Sequence, residues 1–153
     1  RILREAKKTE RPVLVVGIGA ELRADDFVGV LVAREVQARN LPFIKGIEAC
    51  AAPENFTGEI INANPSLVIF LDAANLGLKA GAMRLIKREE IQGMSFCTHT
   101  LPLYLILDYL SLSLDCNFLV LGIQPKDISV MGEQSPEIIT AVSKLVNLLA
   151  SAS

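Results

Sequence analysis

The stretch Leu14–Gly29, LVVGIGAELRADDFVG, decides how the rest of the chain is read. Val13–Gly17 is a short, continuous, β-branched run, the pattern of a central strand covered on both faces. Gly17 and Gly19 punctuate its end, where a residue without Cβ lets the backbone turn sharply. Asp25 and Asp26 then stand at the mouth of a helix expected from Asp25 to about Arg39. Its apolar positions Val28, Leu31, Val32 and Val36 recur at spacings of three and four. Strand, glycine turn and helix in that order are the opening of an α/β sheet, and the two carboxylates fall at the carboxyl end of its first strand.

The same alternation continues along the chain. Strands are expected at Phe43–Cys50, Ser66–Asp72, Ala82–Lys87 and Asn117–Ile123, with Lys45 and Glu48 suggesting one solvated side on the second and an edge position for the fourth. Helices are expected at Pro53–Asn62, Pro102–Ser113 and Pro136–Leu149, the last with Ile138, Ile139, Val142, Leu145, Val146 and Leu149 on one face. Gly77–Gly81 reads as a loop. Strands that alternate with helices favour a mostly parallel sheet with helices on both faces. Residues 1–153 read as a single domain, with residues 1–11 an exposed N-terminal helix or arm that ends before Pro12.

Composition narrows the function classes. The 153 residues are 51% apolar with a mean hydropathy of +0.41, which fits strands buried on both sides. No apolar run reaches the roughly 18 residues of a membrane span. A net charge of −2, no basic stripe and few aromatics argue against a nucleic-acid surface. Cys50, Cys97 and Cys116 are odd in number and widely spaced, so they suit neither a disulfide framework nor a thiolate zinc site. They read as reduced, buried small hydrophobes of a cytoplasmic protein.

Open α/β sheets bind ligands beyond the carboxyl ends of their strands. Asp26 lies there after the first strand, and Asp72 ends the third. His99 precedes the helix that feeds the last strand; if that strand is parallel, His99 reaches the same edge. Two carboxylates about 5 Å apart repel by roughly 3 kcal/mol at an effective dielectric near 20, so such a pair wants a proton or a cation. Adding an imidazole gives two oxygens and a nitrogen, suited to nickel or zinc with coordination positions left open. Each residue also has a plainer role. Asp25 or Asp26 reads equally as a helix N-cap, worth about 1 kcal/mol. Asp72 reads as a turn cap, His99 as a structural histidine, and Glu54 as a first-turn acid that favours the helix dipole. A dinucleotide site at Gly17 and Gly19 is disfavoured, because Leu22 stands at the third glycine position and Asp25–Asp26 would repel a pyrophosphate.

GIGAELRADDFVGV resembles the opening of the [NiFe]-hydrogenase maturation endopeptidases, in which a strand, GxGN and D-[DE]-G recur. The resemblance continues through PENFTGEI, similar to the subgroup that processes the hydrogenase-3, or formate-hydrogenlyase, large subunit. It continues again in VIFLDAAN and FCTHTLPL, and covers Val13 to Leu149. It implies a three-layer αβα sandwich around a five-stranded sheet, with Asp26, Asp72 and His99 as the catalytic, metal-contacting residues. It implies a cytoplasmic, aspartyl-type-like endopeptidase that removes the C-terminal extension of a hydrogenase large-subunit precursor. Nickel carried by that substrate would be the recognition element. No nucleic-acid or membrane partner is implied, and a monomer is expected. Two positions depart from the family pattern: Ala20 stands where Asn is usual and Phe27 where Gly is frequent. A non-catalytic nickel carrier or assembly chaperone on the same fold is the alternative, and a small nucleotide-binding module a third. Glu54 and Phe56, after the second strand, are placed to contact substrate.

Overall fold

The computed structural model describes residues 1–94 and 102–153. In chain order the elements are α1 (Ile2–Lys7), β1 (Val13–Ile18), α2 (Val28–Arg39), β2 (Ile44–Cys50), α3 (Thr57–Ala63), β3 (Leu67–Ala73), β4 (Met83–Ile86), α4 (Leu103–Ser113), β5 (Asn117–Ile123) and α5 (Pro136–Ala152). Tight 3-10 turns at Ala24–Phe27 and Pro53–Phe56 lead into α2 and α3, and a third covers Arg88–Gly93. The two expected helices at these places are thus each a 3-10 turn followed by an α-helix. A 3-10 turn winds more tightly than an α-helix, so the side chains of Ala24–Phe27 point differently from those of a continued α2.

The strands form one sheet in the order β2-β1-β3-β5-β4. β1 pairs in parallel with β2 and β3, and β3 with β5, while β4 runs antiparallel on the outer edge of β5. The alternation of side chains along a strand divides the core in two. Val13, Val15, Leu67, Ile69 and Leu71 face α2 and α5. Leu14, Val16, Val68, Phe70 and Val120 face α3 and α4. A sheet covered on both sides accounts for the high hydropathy and makes the fold the expected three-layer sandwich.

Several local expectations are corrected. Gly17 lies inside β1 and does not form the turn. A Cβ there would stand 2.2 Å from the carbonyl oxygen of Gly29, so the residue serves the close approach of α2 to β1. Lys45 and Glu48, being an odd number of residues apart, point to opposite faces of β2, and Glu48 pairs with Arg34 of α2 at 2.8 Å. On α5, Ile139 is exposed and Ala141 takes the buried place between Ile138 and Val142. The N-terminal helix is not simply exposed, since Ala6 is buried and Ile2 and Leu3 pack against the α2/α5-side core. Cys50 is exposed and Cys116 half-buried, against the expectation of buried thiols; Cys97 lies outside the described residues.

Candidate active site at the carboxyl edge

The connection leaving β1 turns toward β2, whereas β3, on the other side of β1, leads toward β5 and β4. Neighbouring strands whose connections diverge leave a crevice beyond their carboxyl ends, the usual ligand position in an open α/β sheet. Asp26 comes from the turn after β1, and Asp72 from the penultimate residue of β3. The Ala24–Phe27 turn packs against β3, which brings the chain segments that carry the two aspartates together at this edge. Both residues are fully buried. Asp72 sits opposite Gly122 of β5 and shares the sheet face of Val68, Phe70 and Ala74, the side covered by α4. α4 ends at Ser113, just before β5 starts at the amino edge, so its first turn lies at the carboxyl edge. His99, expected in the stretch before it, lies outside the described residues. Among the described residues no group of three or more His, Cys, Asp or Glu side chains is gathered to hold a metal ion.

The local sequence explains how Asp26 is aimed. Gly19 permits the return of the chain, since a Cβ on it would stand 2.2 Å from the Asp26 carbonyl oxygen. The backbone N–H of Ala20 then donates to Asp26 Oδ2 at 3.1 Å. The contact that closes the turn is therefore made by the main chain, and an Asn side chain at position 20 is not required for it. Phe27, the second departure, is buried, with the Arg34 guanidinium 5.1 Å above its ring and that guanidinium also paired to Glu48.

Asp25 and Asp26, adjacent in sequence, have different work. Neither caps the helix that follows. Asp25 reaches across to the β5–α5 connection. Its Oδ2 accepts from the N–H groups of Lys126 and Asp127, both at 2.9 Å, and from the Ser135 hydroxyl at 2.7 Å. Its Oδ1 accepts from the Ser135 N–H at 2.6 Å. Burial by itself would raise the Asp25 pKa, but the Ser135 hydroxyl and these N–H donors outweigh it and hold the carboxyl below its ordinary value. Asp25 is thus an ionised latch between two loops. Local sequence pattern holds no sign of this, because its partners are 101 to 110 residues away. Ser135 alone carried a signal: it precedes Pro136 as an N-cap would, yet its hydroxyl serves Asp25 and not its own helix.

Phe56 packs into the α3/α4-side core and Glu54 is half-buried beside it in the 3-10 turn. Cys50, at the carboxyl end of β2, accepts the Gly19 N–H on its carbonyl at 2.9 Å. Partial burial, followed by the nearby carboxylates of Glu48 and Glu21, pushes its thiol pKa up, the opposite of what activates a nucleophilic cysteine. No helix among the described residues is long and apolar enough to cross a membrane.

Comparison with known proteins agrees with this architecture. A family model described as HycI, hydrogenase maturation protease, matches residues 30–152. A Methanocaldococcus jannaschii protein assigned by name to the hydrogenase maturation proteases is 33% identical over 156 residues, covering 97% of this chain and 92% of its own length. The hydrogenase 3 maturation protease of Escherichia coli K12 is 31% identical over 109 residues, 71% of this chain and 69% of its own. Among solved structures, the [NiFe] hydrogenase maturation protease HycI of Thermococcus kodakarensis superposes with a TM-score of 0.86 at 27% identity, covering 99% of this chain and 98% of that one. The family match begins just after the Asp25–Asp26 pair, and the Methanocaldococcus alignment takes in nearly the whole chain. The chain belongs to the HycI hydrogenase maturation protease family and is a hydrolase of the protease class.

Proposed function

We propose that this protease removes the C-terminal extension of a [NiFe]-hydrogenase large-subunit precursor after nickel has been inserted. Asp26, Asp72 and His99 would contact the nickel that the substrate brings. The observation that carries the reading is the placing of two fully buried carboxylates, Asp26 and Asp72, at the carboxyl edge where the connections of β1 and β3 diverge. Two carboxylates brought to one edge offer a metal oxygen ligands, and with one imidazole they leave positions for ligands already on the metal. A metal held by substrate groups on one side and by this site on the other reports that loading is complete. The role of nickel is then recognition, and the precursor without it lacks the central contact.

Three substitutions test the assignment. Asp26→Asn keeps the acceptor for the Ala20 N–H, Asp72→Asn keeps the volume in β3, and His99→Ala removes the imidazole. Each is expected to retain the fold by circular dichroism and to slow precursor processing at least about 100-fold, beyond what loss of an outer-shell contact does. Processing at the wild-type rate by a folded Asp26→Asn or His99→Ala protein would contradict the site. Tight nickel binding without cleavage of any loaded precursor would favour the carrier reading.

A further inference from the structure

Two loops meet at the carboxyl edge, residues 19–24 after β1 and residues 124–135 after β5, reaching over the end of β3 between them. Their union is dense for surface connections. Besides the Asp25 latch, the Met131 N–H donates to the Leu22 carbonyl at 2.7 Å and the Asp25 N–H to the Asp127 carbonyl at 2.8 Å. Gln134 Nε2 reaches the Ala24 carbonyl at 3.4 Å. Beside the exposed polar side chains of Glu21, Lys126, Asp127, Ser129 and Glu133, this frame presents three large apolar ones to solvent. Leu22 is 59% exposed, Val130 71% and Met131 73%. Met131 holds a φ of +64°, a left-handed conformation that a side-chain-bearing residue adopts only when its surroundings impose it.

Single exposed apolar side chains need no explanation, but these three are adjacent. Leu22 and Met131 are joined through their backbones, and Val130 precedes Met131. They are carried on a fixed frame, and Leu22 is four residues from Asp26. Adjacent exposed apolar groups on an ordered surface mark protein contacts, and methionine adapts its shape to a partner's side chains.

We propose that Leu22, Val130 and Met131 form a docking lip for apolar side chains of the precursor segment next to the scissile bond, with the Asp25 latch as the positioning device that holds it. The inference rests on the maturation-protease reading for the identity of its partner. Its position at the candidate site is the argument for that occupant over a second copy of this chain. The lip contributes binding and orientation and takes no part in the chemical step.

The test is the triple variant Leu22→Ser, Val130→Ser, Met131→Ser, with Leu112→Ser, an equally exposed apolar residue at the far end of α4, as the control. All three positions face solvent, so folding is retained. Processing of the nickel-loaded precursor encoded in the same genome is followed by intact mass, and precursor binding by biolayer interferometry. The expected result is a KM and a Kd at least tenfold higher with kcat within twofold for the triple variant, and Leu112→Ser within twofold of wild type throughout. Unchanged KM and Kd overturn the proposal. So does a triple variant that changes only the oligomeric state in sedimentation, which would make the lip a self-association face. If the wild type binds precursor through the lip but cleaves nothing, the processing role fails and the docking lip stands. If the wild type does not bind precursor at all, the lip proposal fails.

Discussion

Replacing Asp25 by Asn or Ala separates the two adjacent aspartates, because it attacks a latch and leaves Asp26 in place. In Asp25→Ala the N–H groups of Lys126, Asp127 and Ser135 and the Ser135 hydroxyl lose their acceptor together. Each such donor costs about 1–3 kcal/mol if it stays buried and unpaired, so full burial of all four would cost about 4–12 kcal/mol, comparable to the whole stability of a domain. The loop can open to water, which limits the loss to about 3–5 kcal/mol, the range for removing one partner of a buried charged pair. Asp25→Asn is milder. Its amide oxygen at the Oδ2 position still accepts three donors, while its NH2 group meets the Ser135 N–H, a cost of about 2 kcal/mol. The pH dependence follows from the sign of the shift. The Asp25 pKa is lowered in the folded state, so its contribution is present above the unfolded aspartate value, about 3.9, and disappears as pH falls through the lower folded value. Urea unfolding by circular dichroism at pH 7 and at pH 3 should therefore show the gap between wild type and Asp25→Asn shrinking at the acid end. Equal stability at pH 7, or a gap that persists unchanged as wild type acidifies to unfolding, would refute the latch.

Further outcomes follow from the same structure. Gly17→Ala places a methyl group 2.2 Å from the Gly29 carbonyl oxygen and should cost about 3 kcal/mol or more, read as a fall in Tm or as insolubility. Phe70→Ala empties a fully buried place on the α3/α4 side of β3 and should destabilise by about 3–5 kcal/mol in urea titration. Arg34→Ala removes an exposed pair with Glu48 and the cation above Phe27, and should cost only about 1 kcal/mol, leaving processing unchanged. Iodoacetamide should label Cys50 more slowly at pH 8 than a free cysteine, with the rate rising toward alkaline pH; Cys116, its thiol pushed up to about 11 by burial, should lag further.

The sheet was legible because period and composition agree along the whole chain. The run from Asn117 to Ile123 reads as a strand at its true bounds, and Ser66–Asp72 misses β3 by one residue at each end. Pattern alone was weaker wherever a tertiary contact decided the outcome. The glycine of β1 reads as a turn former, but its reason is the main chain of α2 on the far side of the strand. Ile139 fits the apolar stripe of α5 by spacing and yet faces solvent, because the smaller Ala141 sits in the packed seam. The places of Asp26 and Asp72 at the carboxyl edge were legible, since one follows the turn after an apolar strand and the other lies at the end of one. The roles within the Asp25–Asp26 pair were not: both fit a cap, and only the return of residues 126–135 distinguishes the latch from the crevice residue.

The most direct measurement is the intact mass of a purified large-subunit precursor after incubation with this protein, nickel-loaded in one sample and nickel-free in the other. Metal-gated processing predicts loss of a C-terminal peptide from the loaded precursor alone. Cleavage of both samples at the same rate, or of neither when the precursor is shown to carry nickel, would contradict it.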